Sequence, residues 1–175
     1  GGMRELQEST PLRRLPYGMA KFTATLAASL LPVFFWVLGI AITMVSIGHA
    51  PASFLVAVPL AFFAITVPAF GFVIAFSLVG PLLMPLSVYQ VLFTGYWFWA
   101  NFIPPQLFPT LNGTLLTPSG IFAAQAFFHG EAAAKLPGAV TPTPTEAALN
   151  LLVLALATAC ALALLDRVLA RKAQR

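Results

Sequence analysis

Charge is what this sequence lacks most. Its 175 residues include nine Lys and Arg and five Asp and Glu, 8% of the total, and between Lys21 and Glu131 there is no charged residue of either sign. Soluble domains carry roughly 25% charged residues, and so few here cannot coat the outside of a core. A water-soluble globular fold is excluded. The single cysteine, Cys160, sits in an apolar run, so neither an internal disulfide nor a thiol-based zinc or redox centre can be built. His49 and His129 have no carboxylate or second histidine at ligand spacing, and both read as interfacial groups, not as ligands or catalysts. A proton relay or ion pump needs ionisable groups inside the bilayer, and the apolar runs offer none. No cofactor or metal is expected. Nor does the start, polar and charged up to Lys21, have the short apolar core of a signal peptide.

What is present is hydrocarbon: 59% hydrophobic residues and a mean hydropathy of +0.91. A helix needs about 20 apolar residues to cross about 30 Å of lipid, and there only a helix or a closed barrel satisfies its own backbone. The runs are too long for barrel strands. A first span is predicted over 22–47, stopped by Gly48-His49-Ala50-Pro51. A second, over 52–79, contains Pro59 and Pro68 and is expected to kink. Gly80-Pro81-Leu82-Leu83-Met84-Pro85 reads as a short turn, and a third span over 86–103 closes at Pro104-Pro105. Tyr96, Trp97, Trp99 and Phe102 give its far end the composition of a membrane interface.

The last span is predicted over 146–165, followed by a basic cytoplasmic tail, 166–175. Between the third and last spans, 104–145 is rich in Pro, Gly and Thr, and its one strongly apolar piece, 121–128, is too short to cross. This segment is expected outside the cytoplasm, dipping partly into the membrane. A rival reading carries Leu115 to Phe128 across as a fifth helix, but Pro118 and Gly120 interrupt it. With both ends in the cytoplasm, eight of the nine basic residues lie inside and only Lys135 outside, as the positive-inside rule requires. Basic residues confined to the two ends also make no nucleic-acid footprint. The expected fold is therefore all-α: a polytopic helical membrane protein with four transmembrane helices, both termini cytoplasmic, and an external, partly re-entrant segment before the last helix. Membrane lipid is an expected partner and nucleic acid is not.

Ser87, Gln90, Thr94 and Asn101 are spaced by three, four and seven and share one face of the third span. Such a stripe lines a substrate path or makes interhelical hydrogen bonds worth ~0.6–2 kcal/mol each; either use turns it away from lipid. Ala155, Ala159 and Ala163, four apart, let another helix approach closely, and that contact is expected within the chain. Asn112-Gly113-Thr114 matches the N-glycosylation acceptor and is expected to go unused. Glu131 and Lys135 form an i,i+4 pair suited to a short surface helix.

The amino-terminal residues are more informative. Arg4-Glu5-Leu6 opens a short acidic helical stretch through Glu8, Ser9-Thr10-Pro11 breaks it, Arg13-Arg14 follows, and Ala20-Lys21 stands at the mouth of the first span. This order resembles the cytoplasmic loop of type-2 ABC transporter permeases. The sequel is similar too: three closely connected spans, an external segment, a final span and a basic tail. Tyr89-Gln90-Val91-Leu92-Phe93-Thr94-Gly95-Tyr96-Trp97-Phe98-Trp99 and Thr114-Leu115-Leu116-Thr117-Pro118-Ser119-Gly120 also look similar to stretches of bacterial members. The resemblance implies a permease subunit in a bacterial plasma membrane. In it Arg4, Glu5, Leu6 and Glu8 dock on a separate ABC ATPase subunit, a second permease subunit pairs with this one, and substrate is exported along the interface. Ser87, Gln90, Thr94 and Asn101 are the candidate lining, on geometry alone.

Such permeases have two further spans ahead of this loop, and those have no counterpart here. The chain is expected to be the carboxy-terminal part of a longer permease, as Gly1-Gly2 ahead of Met3 suggests, or else a shortened relative. No G-x-x-x-x-G-K-[ST] phosphate loop is present, so ATP hydrolysis falls to the partner and the chain is not itself expected to be an enzyme. A second reading is a non-transporting helical membrane scaffold. A third, a lipid-directed enzyme, has only His129 and Glu131 as an acid–base pair.

Overall fold

The computed structural model describes residues 14–103, 107–128 and 141–172. Among them there is no strand. The helices are α1 (Arg14–Ser46), α2 (Phe54–Ala61), a π-helical turn (Phe62–Thr66), α3 (Val67–Leu83), α4 (Leu86–Asn101), α5 (Ile121–Phe128) and α6 (Pro144–Lys172). Three stretches are long and apolar enough to cross a membrane: Tyr17–Ser46, Phe54–Leu83 and Pro144–Arg171. The protein is thus an all-helical membrane protein.

Helix α1 begins eight residues ahead of the predicted span, and its Pro16 lies in the first turn, where backbone N–H groups have no helical partner in any case. It ends where expected, at Gly48 with φ +75°. There the amides of Gly48 and His49 donate to the carbonyls of Val45 and Met44, at 3.1 and 2.9 Å, the paired bonds of a glycine C-cap. Hydroxyls along the spans are hidden on their own helices: Thr23 donates to the Met19 carbonyl, Thr43 to Gly39, Ser46 to Ile42 and Thr158 to Leu154.

The kink expected in the second span takes the form of a π-turn, with Pro59 before it and Pro68 just after. Proline at 68 has no N–H to give the carbonyl four residues back, and widening the turn relieves the clash of its ring with that carbonyl. The predicted turn over 80–85 is shorter than expected. Helix α3 continues through Gly80 and Pro81 to Leu83, leaving only Met84 and Pro85 outside a helix. Backbone groups remote from water stay in the helical ladder where they can, and the bare backbone at Gly80 seats the Tyr89 ring so closely that a Cβ would overlap it.

From that turn α4 runs back along α3. Tyr89 Oη and Ser77 Oγ are 3.1 Å apart, Phe93 stacks against Phe72 and Phe76, and Tyr96 reaches Phe72. Helix α4 stops at Asn101, two residues short of the predicted end. Its 16 residues rise about 24 Å, less than the hydrocarbon thickness.

The main core joins α1, α3 and α6 through Phe22, Ile74, Ala75, Val79, Ala161 and Leu165. The last helix runs on past the predicted span, and one expectation for it is corrected here. The basic tail begins as helix, since α6 extends to Lys172. Ala155, Ala159 and Ala163 are exposed, because the face carrying Leu154, Ala161 and Leu165 is the one buried.

Candidate functional site

Because α4 is short, something else must occupy the depth beside the π-turn, and residues 107–128 do so. Gly120, at φ +72°, lies against Ile65: a Cβ there would sit 2.8 Å from Ile65 Cγ2 and 3.1 Å from its carbonyl oxygen. Ile65 is eleven residues into the helical run that starts at Phe54, about 16 Å along its axis. The loop therefore reaches well down the flank of that run.

Irregular backbone at such depth needs donors from the protein, and side chains supply them. Thr110 Oγ1 and Asn112 Nδ2 donate to the Ile103 carbonyl, at 3.1 and 3.3 Å. Trp99 Nε1 donates to the Pro109 carbonyl at 2.9 Å. Thr114 and Thr117 hydroxyls both donate to Leu111 O at 2.7 Å. Asn150, wholly buried in α6, donates through Nδ2 to the carbonyls of Leu115 and Thr117 at 2.8 and 3.1 Å. Below this latch Ile121, Phe122 and Ala147 form a second small core. Helix α6 starts on a capping box. The Thr143 amide donates to Glu146 Oε2 at 2.7 Å and the Glu146 amide to Thr143 Oγ1 at 3.3 Å, satisfying two otherwise unpaired donors.

Between the π-turn, α3, α4 and this loop lies a cavity of about 510 Å³, within the size range of small-molecule sites. Ile65, Ala69, Phe70, Val73, Phe93 and Trp97 form its apolar walls, and Thr66, Thr94 and Ser119 its polar points.

The predicted stripe divides. Ser87, Gln90 and Thr94 are all exposed on α4, and of the three only Thr94 lines the cavity. Asn101 turns back on its own helix, its Nδ2 donating to the Trp97 carbonyl at 2.8 Å. The four are thus not gathered into one lining. Asn112 of the glycosylation match is buried, its amide nitrogen held by Ile103, so it is not presented to a glycosyltransferase. His49 is exposed. Arg4, Glu5, Leu6 and Glu8, with His129, Glu131 and Lys135, lie outside the described residues. Composition and stripe-finding miss Asn150, Thr66 and Ser119. The available signals were an amide inside an apolar helix and a threonine two residues from a proline.

No protein-family model, curated protein or solved structure matches the chain. What the sequence and the fold define is a class, a helical membrane protein with a loop packed among its spans beside an apolar cavity.

Proposed function

We propose that this chain is the membrane-spanning permease subunit of a type-2 ABC exporter of a bacterial plasma membrane, driven by ATP hydrolysis on a separate ATPase subunit and paired with a second permease subunit. In this reading α4 is a fourth crossing and both termini are cytoplasmic, so that Arg4, Glu5, Leu6 and Glu8 meet the ATPase and 107–128 re-enters from the opposite side. One observation supports this reading above the others: the loop before the last span reaches the depth of Ile65 and is held there by Asn150. In membrane transport proteins, non-helical backbone at depth belongs where it borders a cavity or pathway.

The test is a pull-down in mild detergent from native membranes, comparing wild type with a Glu5→Arg, Glu8→Arg variant. An ABC ATPase is expected with wild type, and its recovery should fall at least tenfold with the variant. Absence of an ATPase from both would overturn the proposal in favour of the scaffold reading. That second reading draws on α1, which leaves an apolar face with Phe35 and Trp36 exposed.

A further inference from the structure

The cavity has a chemistry of its own. Its nine lining residues carry no charge, and the sequence supplies none to its neighbourhood between Lys21 and Glu131. A charged group buried there would have no counter-ion, so the portion of any ligand that enters must be neutral. Phe70, Phe93 and Trp97 with Ile65 and Val73 present aromatic and aliphatic walls on several sides, which reward hydrocarbon. The convergence of three hydroxyls is the distinguishing feature, since Thr25, Ser29 and Ser87 also lack a hydrogen bond among the described residues but do not line this cavity. Thr23, Thr43 and Thr158 each bond to a carbonyl of their own helix, but no hydrogen bond engages the side chains of Thr66, Thr94 or Ser119 among the described residues. They come from three different elements, the π-turn, α4 and the loop, and meet at one cavity.

We infer that this cavity binds the uncharged ester end and adjoining hydrocarbon of an acyl glyceride, with the walls holding the chain and the hydroxyls of Thr66, Thr94 and Ser119 addressing the ester and glycerol oxygens. Binding concerns the cavity alone; that the bound glyceride is cargo rests on the transport reading above. The loop supplies Ser119 and is latched by Asn150, so an occupied cavity and a docked loop stabilise each other.

The experiment uses the full chain in phosphatidylcholine nanodiscs and a monoacylglycerol carrying a diazirine in its chain, with adducts mapped by mass spectrometry. Adducts are expected on 65–73, 93–97 and 119, lost on adding a tenfold excess of plain monoacylglycerol. Ala69→Trp and Thr94→Phe, which fill the cavity from opposite walls, should each lower those adducts at least fivefold. Labelling of the exposed Phe35–Trp36 face should stay constant. The triple variant Thr66→Val, Thr94→Val, Ser119→Ala should lower glyceride adducts but not those of a diazirine alkane. Adducts spread evenly over α1 and the cavity, or unmoved by both filling variants, would overturn the inference, as would a triple variant that lowers alkane adducts as much as glyceride adducts or lowers neither. Cavity adducts without a co-purifying ATPase would leave the site standing and sink the transport reading; an ATPase without cavity adducts would do the reverse.

Discussion

Two side chains and one bare backbone position decide where the loop sits. Replacing Asn150 by leucine removes both donors to Leu115 O and Thr117 O while keeping the branched shape, and an unsatisfied buried carbonyl costs about 1–3 kcal/mol. Asn150→Leu should therefore lower the unfolding free energy in mixed micelles by about that amount and raise amide exchange over 111–128; wild-type values on both would sink the latch. Gly120 can be separated from mere backbone strain. Gly48 has the same left-handed φ, +75°, with open space around it, whereas a Cβ at Gly120 meets Ile65. Gly48→Ala should lose about 1–2 kcal/mol, and Gly120→Ala distinctly more, because Ile65 or the loop must move. Equal losses in the two variants, measured by the same unfolding titration, would show that the loop does not press on the π-turn.

Among the elements, α4 packs along α3, and a close point of that seam is the Tyr89 ring on the Gly80 backbone. Overpacking a close contact costs typically about 1–3 kcal/mol. Gly80→Ala should destabilise within that range, and adding Tyr89→Leu should recover part of the loss, since contacting sites are non-additive; strictly additive losses would place the ring elsewhere. At the head of α6 the capping box makes Thr143→Ala worth about 0.5–2 kcal/mol, seen as faster amide exchange over 144–150, and no change there would contradict the cap. These elements differ in how far the sequence discloses them. Long apolar runs, the Gly48 stop and the eight-residue helix at 121–128 are visible as composition and punctuation. The continuation of α3 through Gly80-Pro81 is not, because it goes with a tertiary contact, the Tyr89 ring seated on the Gly80 backbone. The cavity is not visible either. Thr66, Thr94 and Ser119 are far apart in the chain, and only the shortness of α4 and the descent of the loop bring them together.

At the scale of the whole molecule the open quantity is parity, and α4 decides it. Three stretches are long enough to cross alone, and an odd count would send one basic end outward, against the positive-inside bias of Arg13, Arg14 and Lys21 at one end and Arg167, Arg171 and Lys172 at the other. Helix α4 rises only about 24 Å, yet the carbonyl just beyond its end, Ile103 O, accepts from Thr110 and Asn112. A helix ending in water would not need such donors. On the proposed reading the short helix and the loop packed beyond it together make up the thickness that one longer helix would. The proposed permease requires four crossings, which would put the turn at 47–53 and residue 141 on one face and Met84 and Arg171 on the other. In a Cys160→Ser background, single-site variants His49→Cys and Thr141→Cys should react with a membrane-impermeant maleimide on intact cells. Met84→Cys and Arg171→Cys should react only after permeabilisation. If Thr141→Cys instead behaves like Met84→Cys, α4 turns back without crossing, the two termini lie on opposite faces, and residues 4–8 and the basic tail cannot both reach the cytoplasm.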